Sequence, residues 1–192
     1  MLFRSGDGLD TFRGPCAGRG GTYIVEQLKK QGGGKVAIIE GLPGAPQSEA
    51  RKNGAKAVFD AEPSIQVVSV QPGNWNRQKA YDITTNLLQA HPDLKAIMCA
   101  NDVMALAAVS AIAEKGKKGQ VMVVGIDFIA QAKDAIKDGS LAASVAQAPF
   151  IIGELCTRAA VKAAAGQDVP KELYIPVVLV TGENVNEFND WK

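Results

Sequence analysis

Five side chains that can do recognition chemistry recur at comparable places along this sequence. Arg51, Trp75, Asn101, Asp127 and Gln147 each follow an apolar, β-branched run directly or within the next helix. Together they supply one large aromatic face, one guanidinium, one carboxylate and two carboxamides. The guanidinium donates through a planar fork, the carboxylate only accepts, and a carboxamide does both. A ligand carrying many vicinal hydroxyls, each a donor and an acceptor at once, satisfies such a set. An indole would cover the apolar C–H face of a sugar ring while the polar groups take its edge. Each residue also has a plainer reading. Asn101 and Asp127 could cap the helices that follow them, and Arg51 could be a solvated helix residue. Trp75 could anchor a loop or an interface, and Gln147 could satisfy a neighbouring backbone group. Capping and ligand binding are compatible, because a cap at a strand end still faces the same rim.

The elements that would position these groups alternate along the chain. Apolar runs predict strands at 35–40, 66–70, 95–100, 121–126 and 142–147, with a further β-branched run at 175–180. The first four are rich in Val and Ile and do not alternate with polar residues, as expected of strands buried on both faces of a parallel sheet. Helical patterns lie at about 21–31, 48–59, 77–89, 102–114, 129–137 and 151–165. Gly32-Gly33-Gly34, Pro92, Gly116 and Gly139 punctuate the helix ends. Repeated βα units with short connections predict a doubly wound α/β parallel sheet with right-handed crossovers. In such sheets ligands bind beyond the carboxyl ends of the strands. Gly41-Leu42-Pro43-Gly44, Gln71-Pro72-Gly73-Asn74-Trp75, Asn101-Asp102, Asp127-Phe128 and Gln147 follow the first five strands in turn.

Composition narrows the function classes. The 192 residues are 46% hydrophobic and 21% charged, ordinary for a globular protein with a core. Lys and Arg number 21 against 20 Asp and Glu, for a net charge of +1, so no basic excess points to nucleic acid. No apolar run approaches the roughly 20 residues that span a bilayer. Met1–Gly8 has no apolar stretch of the secretory kind, so no signal peptide is expected in this chain. Met1–Gly20 mixes Gly, Arg, Pro and Cys without a period and reads as an atypical tail outside the core. Cys16, Cys99 and Cys156 lack metal-ligand spacing, and the single His91 stands at a helix end. No dinucleotide fingerprint, phosphate loop or nucleophile elbow follows a strand. Asp102, Asp127 and Glu40 could support acid–base or metal work, but no nucleophile–base pairing is visible. Neither a cofactor, a metal nor an enzyme activity is expected.

From about Gly21 onward the sequence resembles the C-terminal part of the ribose-binding-protein-like periplasmic sugar-binding proteins, the type I receptors of ABC importers. The resemblance rests on Glu40-Gly-Leu-Pro-Gly with Arg51-Lys-Asn-Gly54, and on Gln71-Pro-Gly-Asn-Trp-Asn-Arg77. It continues through His91-Pro-Asp-Leu-Lys-Ala-Ile, Ala100-Asn-Asp-Val-Met-Ala-Leu106, Val123-Val-Gly-Ile-Asp127 and Asp138-Gly-Ser-Leu-Ala-Ala-Ser-Val-Ala-Gln147. It implies non-catalytic binding of a monosaccharide by Leu42, Arg51, Trp75, Asn101, Asp127 and Gln147. Trp replaces the Phe usual at position 75 of ribose receptors, so allose, galactose or a cyclic polyol fits as well as ribose. The resemblance further implies importer membrane subunits as partners and a periplasmic or extracellular location.

Family members have two lobes joined by a three-strand hinge, and this chain covers little of the first. Three parts are expected on that basis: a tail at 1–20, a C-terminal sugar-binding lobe at 21–147, and a helix and strand at 148–192 that cross to the other lobe and return. The apolar face of that helix, with Ile151, Ile152, Leu155 and Val161, would lack its host. Self-association through this face, into a dimer or larger species, follows as an expectation. Two other functions are compatible with this fold. The first is the effector-binding domain of a lac-repressor-type regulator lacking its DNA-binding segment, and the second is an enzyme on a flavodoxin-like sheet.

Overall fold

The computed structural model describes residues 2–5, 17–170, 172–175 and 177–188, with side chains described for 17–170 and 177–188. Strand β1 (Leu2–Ser5) pairs in parallel with β7 (Glu172–Ile175) as a two-stranded sheet. The main sheet contains β2 (Gly34–Glu40), β3 (Ile65–Pro72), β4 (Leu94–Cys99), β5 (Met122–Asp127), β6 (Ala143–Ala146) and β8 (Val178–Thr181). Their order across the sheet is β3-β2-β4-β5-β6-β8. The first five run parallel, and β8 closes the edge antiparallel to β6. Six helices connect them: α1 (Ala17–Lys29), α2 (Pro46–Asp60), α3 (Arg77–Ala90), α4 (Asp102–Glu114), α5 (Ala130–Lys137) and α6 (Pro149–Ala164). The expected doubly wound α/β lobe is therefore present. The chain steps from β2 outward to β3 and then back past β2 to β4, which makes the β2/β4 boundary the topological switch point.

Unbroken apolar strands follow from burial on both faces. Successive side chains of a strand point to opposite sides, and the core divides accordingly. Ala37, Ile39, Ile97 and Cys99 pack with Ile83 and Leu87 of α3 and with Met104 and Ala108 of α4. Val36, Ile38, Ala96 and Met98 pack on the other side with Ile24 and Leu28 of α1 and Ala55 and Phe59 of α2. Caps set the helix starts locally. Asn76 accepts from the Lys79 amide at 2.9 Å to open α3, and Pro46 occupies the first turn of α2.

Two sequence expectations are corrected here. Most of 1–20, including Cys16, lies outside the described residues, but α1 already begins at Ala17 and Leu2–Ser5 is a strand. The glycines that suggested a tail act as contact points. A Cβ on Gly20 would lie 2.8 Å from Met98 Cε, and one on Gly21 would lie 3.4 Å from Ala55 Cα. Small residues here let α1 lie close against the sheet and against α2. The β-branched run at 175–180 is also not one strand. It is divided between β7 and β8, which belong to different sheets. Pro176 stands between them in the sequence, and proline has no N–H to give a ladder.

Helix α6 differs from the other five. Among its residues only Ala159 is buried, whereas Phe150 is 71% exposed and Val161 64%. The lobe's stability therefore resides in the two faces of the main sheet. We expect Phe59→Ala, at a fully buried position, to cost about 3–5 kcal/mol in urea denaturation. Val161→Ala should stay within about 0.5 kcal/mol of the parent. Equal effects of the two substitutions would contradict this placement of the core.

Candidate functional site

The C-terminal ends of the parallel strands carry the candidate rim, and its geometry centres on Arg51. After β2 the chain turns through Gly41–Gly44, and the Glu49 carboxylate accepts from the Gly44 amide at 3.1 Å. Lys52 bridges Glu49 and Glu40 at 2.7 and 3.0 Å, fixing the start of α2 against the end of β2. From this helix Arg51 reaches across the switch point. Its Nη1 donates to the Ala100 carbonyl at 2.6 Å, and its Nη2 donates to Asp127 Oδ1 at 3.0 Å. One side chain thus ties α2 to the ends of β4 and β5. The arginine side chain is only 16% exposed and the aspartate 34%, so the pair is shielded while one flank of the carboxylate meets solvent. The expected reading of Arg51 as a merely solvated helix residue does not hold.

Trp75 completes this cluster. Asn74 and Trp75 both take left-handed backbone (φ 56° and 60°) in the loop after β3. That loop is tied to β2 by the Gly73 amide, which donates to the Glu40 carbonyl at 2.9 Å. The turn brings the indole against Gly41, where a Cβ would lie 2.0 Å from the ring. Glycine at 41 is therefore what lets the aromatic plane settle there. The Arg51 guanidinium carbon lies 5.7 Å from the ring centroid, within cation–π range.

Asn101 does cap α4, accepting from the Met104 amide at 3.0 Å through its side-chain oxygen. Asp127, by contrast, does not cap α5, whose N-cap residue Ile129 makes no side-chain cap hydrogen bond. Burial pushes the Asp127 carboxyl above the usual carboxylate range, and the charge and hydrogen bond of Arg51 only partly oppose it. Leu42 lies just beyond β2 and is half exposed, and Gln147 lies just beyond β6 and is half-buried. Arg51 thus meets both Asp127 and Trp75. Asn101 joins them through the neighbouring Ala100 carbonyl, while Leu42 and Gln147 share the strand-end rim.

The structure adds Ser144, which the sequence reading did not single out, and gives Asp102 of the third strand end a hydrogen-bonding role. Asp102, wholly buried at the start of α4, accepts from the Ile129 amide at 2.9 Å and from the Ser144 hydroxyl at 2.7 Å. Ser144, wholly buried on β6, accepts in turn from the Phe128 amide at 3.0 Å. The sequence reading gives Asp102 as a candidate for acid–base or metal work and does not single out Ser144. The available signal for Ser144 is its hydroxyl in a strand buried on both faces, which needs a partner. Cys99 is buried against the core, and its thiol is pushed above the usual range by that burial. No group of three or more His, Cys, Asp or Glu able to hold a metal occurs among the described residues.

The structure is an open, mostly parallel α/β lobe with an aromatic side chain and an arginine–aspartate pair at its switch point, a class of sheet in which ligands bind beyond the strand ends. Comparison with known proteins gives that class a family. The chain belongs to the periplasmic binding protein domain family, whose model matches residues 17–168. It is 46% identical over 135 residues to the D-allose-binding periplasmic protein of Escherichia coli, covering 70% of this chain and 43% of that protein. It is 40% identical over 159 residues to the ribose import binding protein of Bacillus subtilis, covering 83% and 50%. Among solved structures, an ABC transporter solute binding protein of Bacillus halodurans with bound myo-inositol superposes with a TM-score of 0.87 at 28% identity. That match covers 99% of this chain and 63% of the other. A D-allose-bound solute binding protein of Actinobacillus succinogenes gives 0.82 at 34% identity, covering 89% and 62%. The chain spans about half the length of the curated relatives it matches. No helix among the described residues is long and apolar enough to cross a membrane.

The buried carboxyl of Asp102 gives a pH test of this geometry. Desolvation raises it from 3.8 to about 7, reinforced by the nearby Asp127 charge and opposed by hydrogen bonds from Ser144, Ile129 and Phe128. In this window the folded chain holds a proton that the unfolded chain has released, so this group's contribution to stability grows as pH falls from about 8 toward 4. The stability of the parent relative to Asp102→Asn should therefore rise by about 1–4 kcal/mol between pH 8 and pH 4.5. Urea denaturation across that range checks this, and a difference independent of pH would contradict it.

Proposed function

We propose that this chain is the C-terminal lobe of a monosaccharide-binding receptor of an ABC importer, binding its ligand reversibly and without catalysis. The observation that carries this reading is the Arg51–Asp127 pair beneath the Trp75 face, at the switch point of the parallel sheet. Asp127 would accept from sugar hydroxyls, and Arg51 and the Asn101 amide would donate to them. Trp75 would stack on the C–H face, and Leu42 and Gln147 would border the ring. The relatives named above bind D-allose, ribose and myo-inositol by their descriptions, which supports a pyranose, furanose or cyclic polyol of this size. Location in the periplasm and docking to importer membrane subunits belong to the same proposal. The alternative of a lac-repressor-type effector domain is not carried further, since the relatives named here are transport receptors.

A lobe acting alone lacks the groups that would close over the ligand and exclude water. Its affinity should accordingly be weak, with a Kd of about 1 mM. Saturation-transfer NMR against ribose, allose, galactose, glucose, xylose and myo-inositol tests this. The expected result is selective transfer to one or two of them, abolished by Trp75→Ala and weakened about tenfold by Asp127→Ala. Uniform or absent transfer would overturn the sugar assignment.

The exposed face of α6 bears on partners. Leu155, Arg158, Ala159, Val161, Val169 and Pro170 bound a groove of about 440 Å³, and Phe150 and Ile151 nearer the start of the same helix are exposed. The relatives have about as much sequence again as this chain matches, so a second copy is the occupant we propose where this chain stands alone. Sedimentation velocity across a concentration series should show a dimer or larger species that Val161→Glu dissociates. A monomer at every concentration would overturn this.

A further inference from the structure

The rim aspartate sits on backbone that an L-residue seldom adopts. Asp127 has φ 111° and Phe128 has φ 58°, two consecutive non-glycine residues at positive φ. Such a turn persists only when its surroundings over-determine it. The helix that follows offers no help, because Ile129 at its start has no capping side chain. The missing support comes from two other elements. Ser144 on β6 accepts from the Phe128 amide, and Asp102 at the head of α4 accepts from the Ile129 amide. The Ser144 hydroxyl, donating to Asp102 Oδ1, joins the two. The space for the carboxyl is provided by β5 itself: a Cβ on Gly125 would lie 2.1 Å from Asp102 Oδ1. Both amides of the strained turn thus end on a wholly buried and mutually paired carboxyl–hydroxyl strut.

We propose that Asp102 and Ser144 are positioning residues for ligand binding: by holding the 127–129 turn they aim the Asp127 carboxylate at Arg51 and the rim. This rests on the reading of that rim as a sugar site. Neither residue need touch the ligand. Each acts through Asp127, and that distinguishes the role from a general contribution to folding. A strut that serves only stability would weaken binding equally whether or not residue 127 carries a carboxylate. A positioning strut matters only while the carboxylate is there to be aimed.

The test is a double-mutant cycle at pH 8 with D-allose and D-ribose as probes, titrated by NMR into the full chain. Ser144→Ala should weaken binding about tenfold in the parent and less than twofold in the Asp127→Asn background. Asp102→Asn keeps an acceptor for Ile129 but withdraws the one Ser144 donates to, and it should reproduce the pattern if Ser144→Ala folds poorly. Equal losses in both backgrounds, or no loss in the parent, would overturn the proposal. Amide hydrogen exchange on the unliganded chain gives an independent readout. Phe128 and Ile129 should exchange at least tenfold faster in Ser144→Ala, with the amides of α4 around Ala108 unchanged. If the parent binds neither sugar, the sugar reading fails by itself. Exchange then decides the strut, as it also does where binding in the Asp127→Asn background is too weak to titrate. Unchanged exchange at Phe128 and Ile129 overturns it.

Discussion

The Arg51 guanidinium is the interaction on which the arrangement of this lobe's strand-end rim depends. Removing a charge from water costs several kcal/mol unless it is paired and hydrogen-bonded, and here one cation is distributed between a backbone carbonyl and a carboxylate. The carbonyl of Ala100 closes β4, and Asp127 closes β5. The arginine arrives from α2, the helix that leaves β2. It therefore spans the one place where the sheet's winding reverses. Arg suits this position better than Lys, since its fork can hold two acceptors at fixed separation. The remaining groups are arranged around that fork. Gly41 makes room for the indole, the left-handed Asn74–Trp75 turn delivers it, and the Asp102–Ser144 pair steadies the turn that carries Asp127.

Much of this was legible in the sequence because parallel strands buried on both faces leave an unmistakable pattern. α4 occupies the residues its Asn101-Asp102 start and Gly116 end predict, and β2 to β6 fall within a residue or two of the apolar runs. The rim was legible for the related reason that topology assigns ligands to strand ends. The departures have physical causes. The mixed composition of 1–20 shows no helical period and places the first helix start at Gly21, whereas α1 begins at Ala17 and its close approach to Met98 and Ala55 requires small side chains at Gly20 and Gly21. Propensity was overruled by packing. The β-branched run near the end was taken as one strand, yet its residues serve two sheets, and the edge it adds is antiparallel. The Asp102–Ser144 contact joins residues 42 positions apart, and no local pattern announces a pairing of that kind.

Exposure is distributed as a half-length relative would have it. Five helices are committed to the two faces of the main sheet, and α6 is committed to neither, with a single buried residue. Its apolar face and the groove beside it are the surface features that the lobe's own core does not explain. They contrast with the rim, whose polar groups are already engaged with one another and stand ready in that geometry. The polar rim and the exposed apolar face of α6 thus occupy separate parts of the chain.

The most direct test of the account is a D-allose titration of the isotopically labelled chain followed residue by residue in NMR spectra. The account predicts that the Trp75 indole and the backbone amides of Leu42, Arg51, Asn101, Asp127 and Gln147 shift together along one saturating curve, with α6 unmoved. Shifts confined to α6, or saturable binding that leaves the strand ends unperturbed, would contradict it.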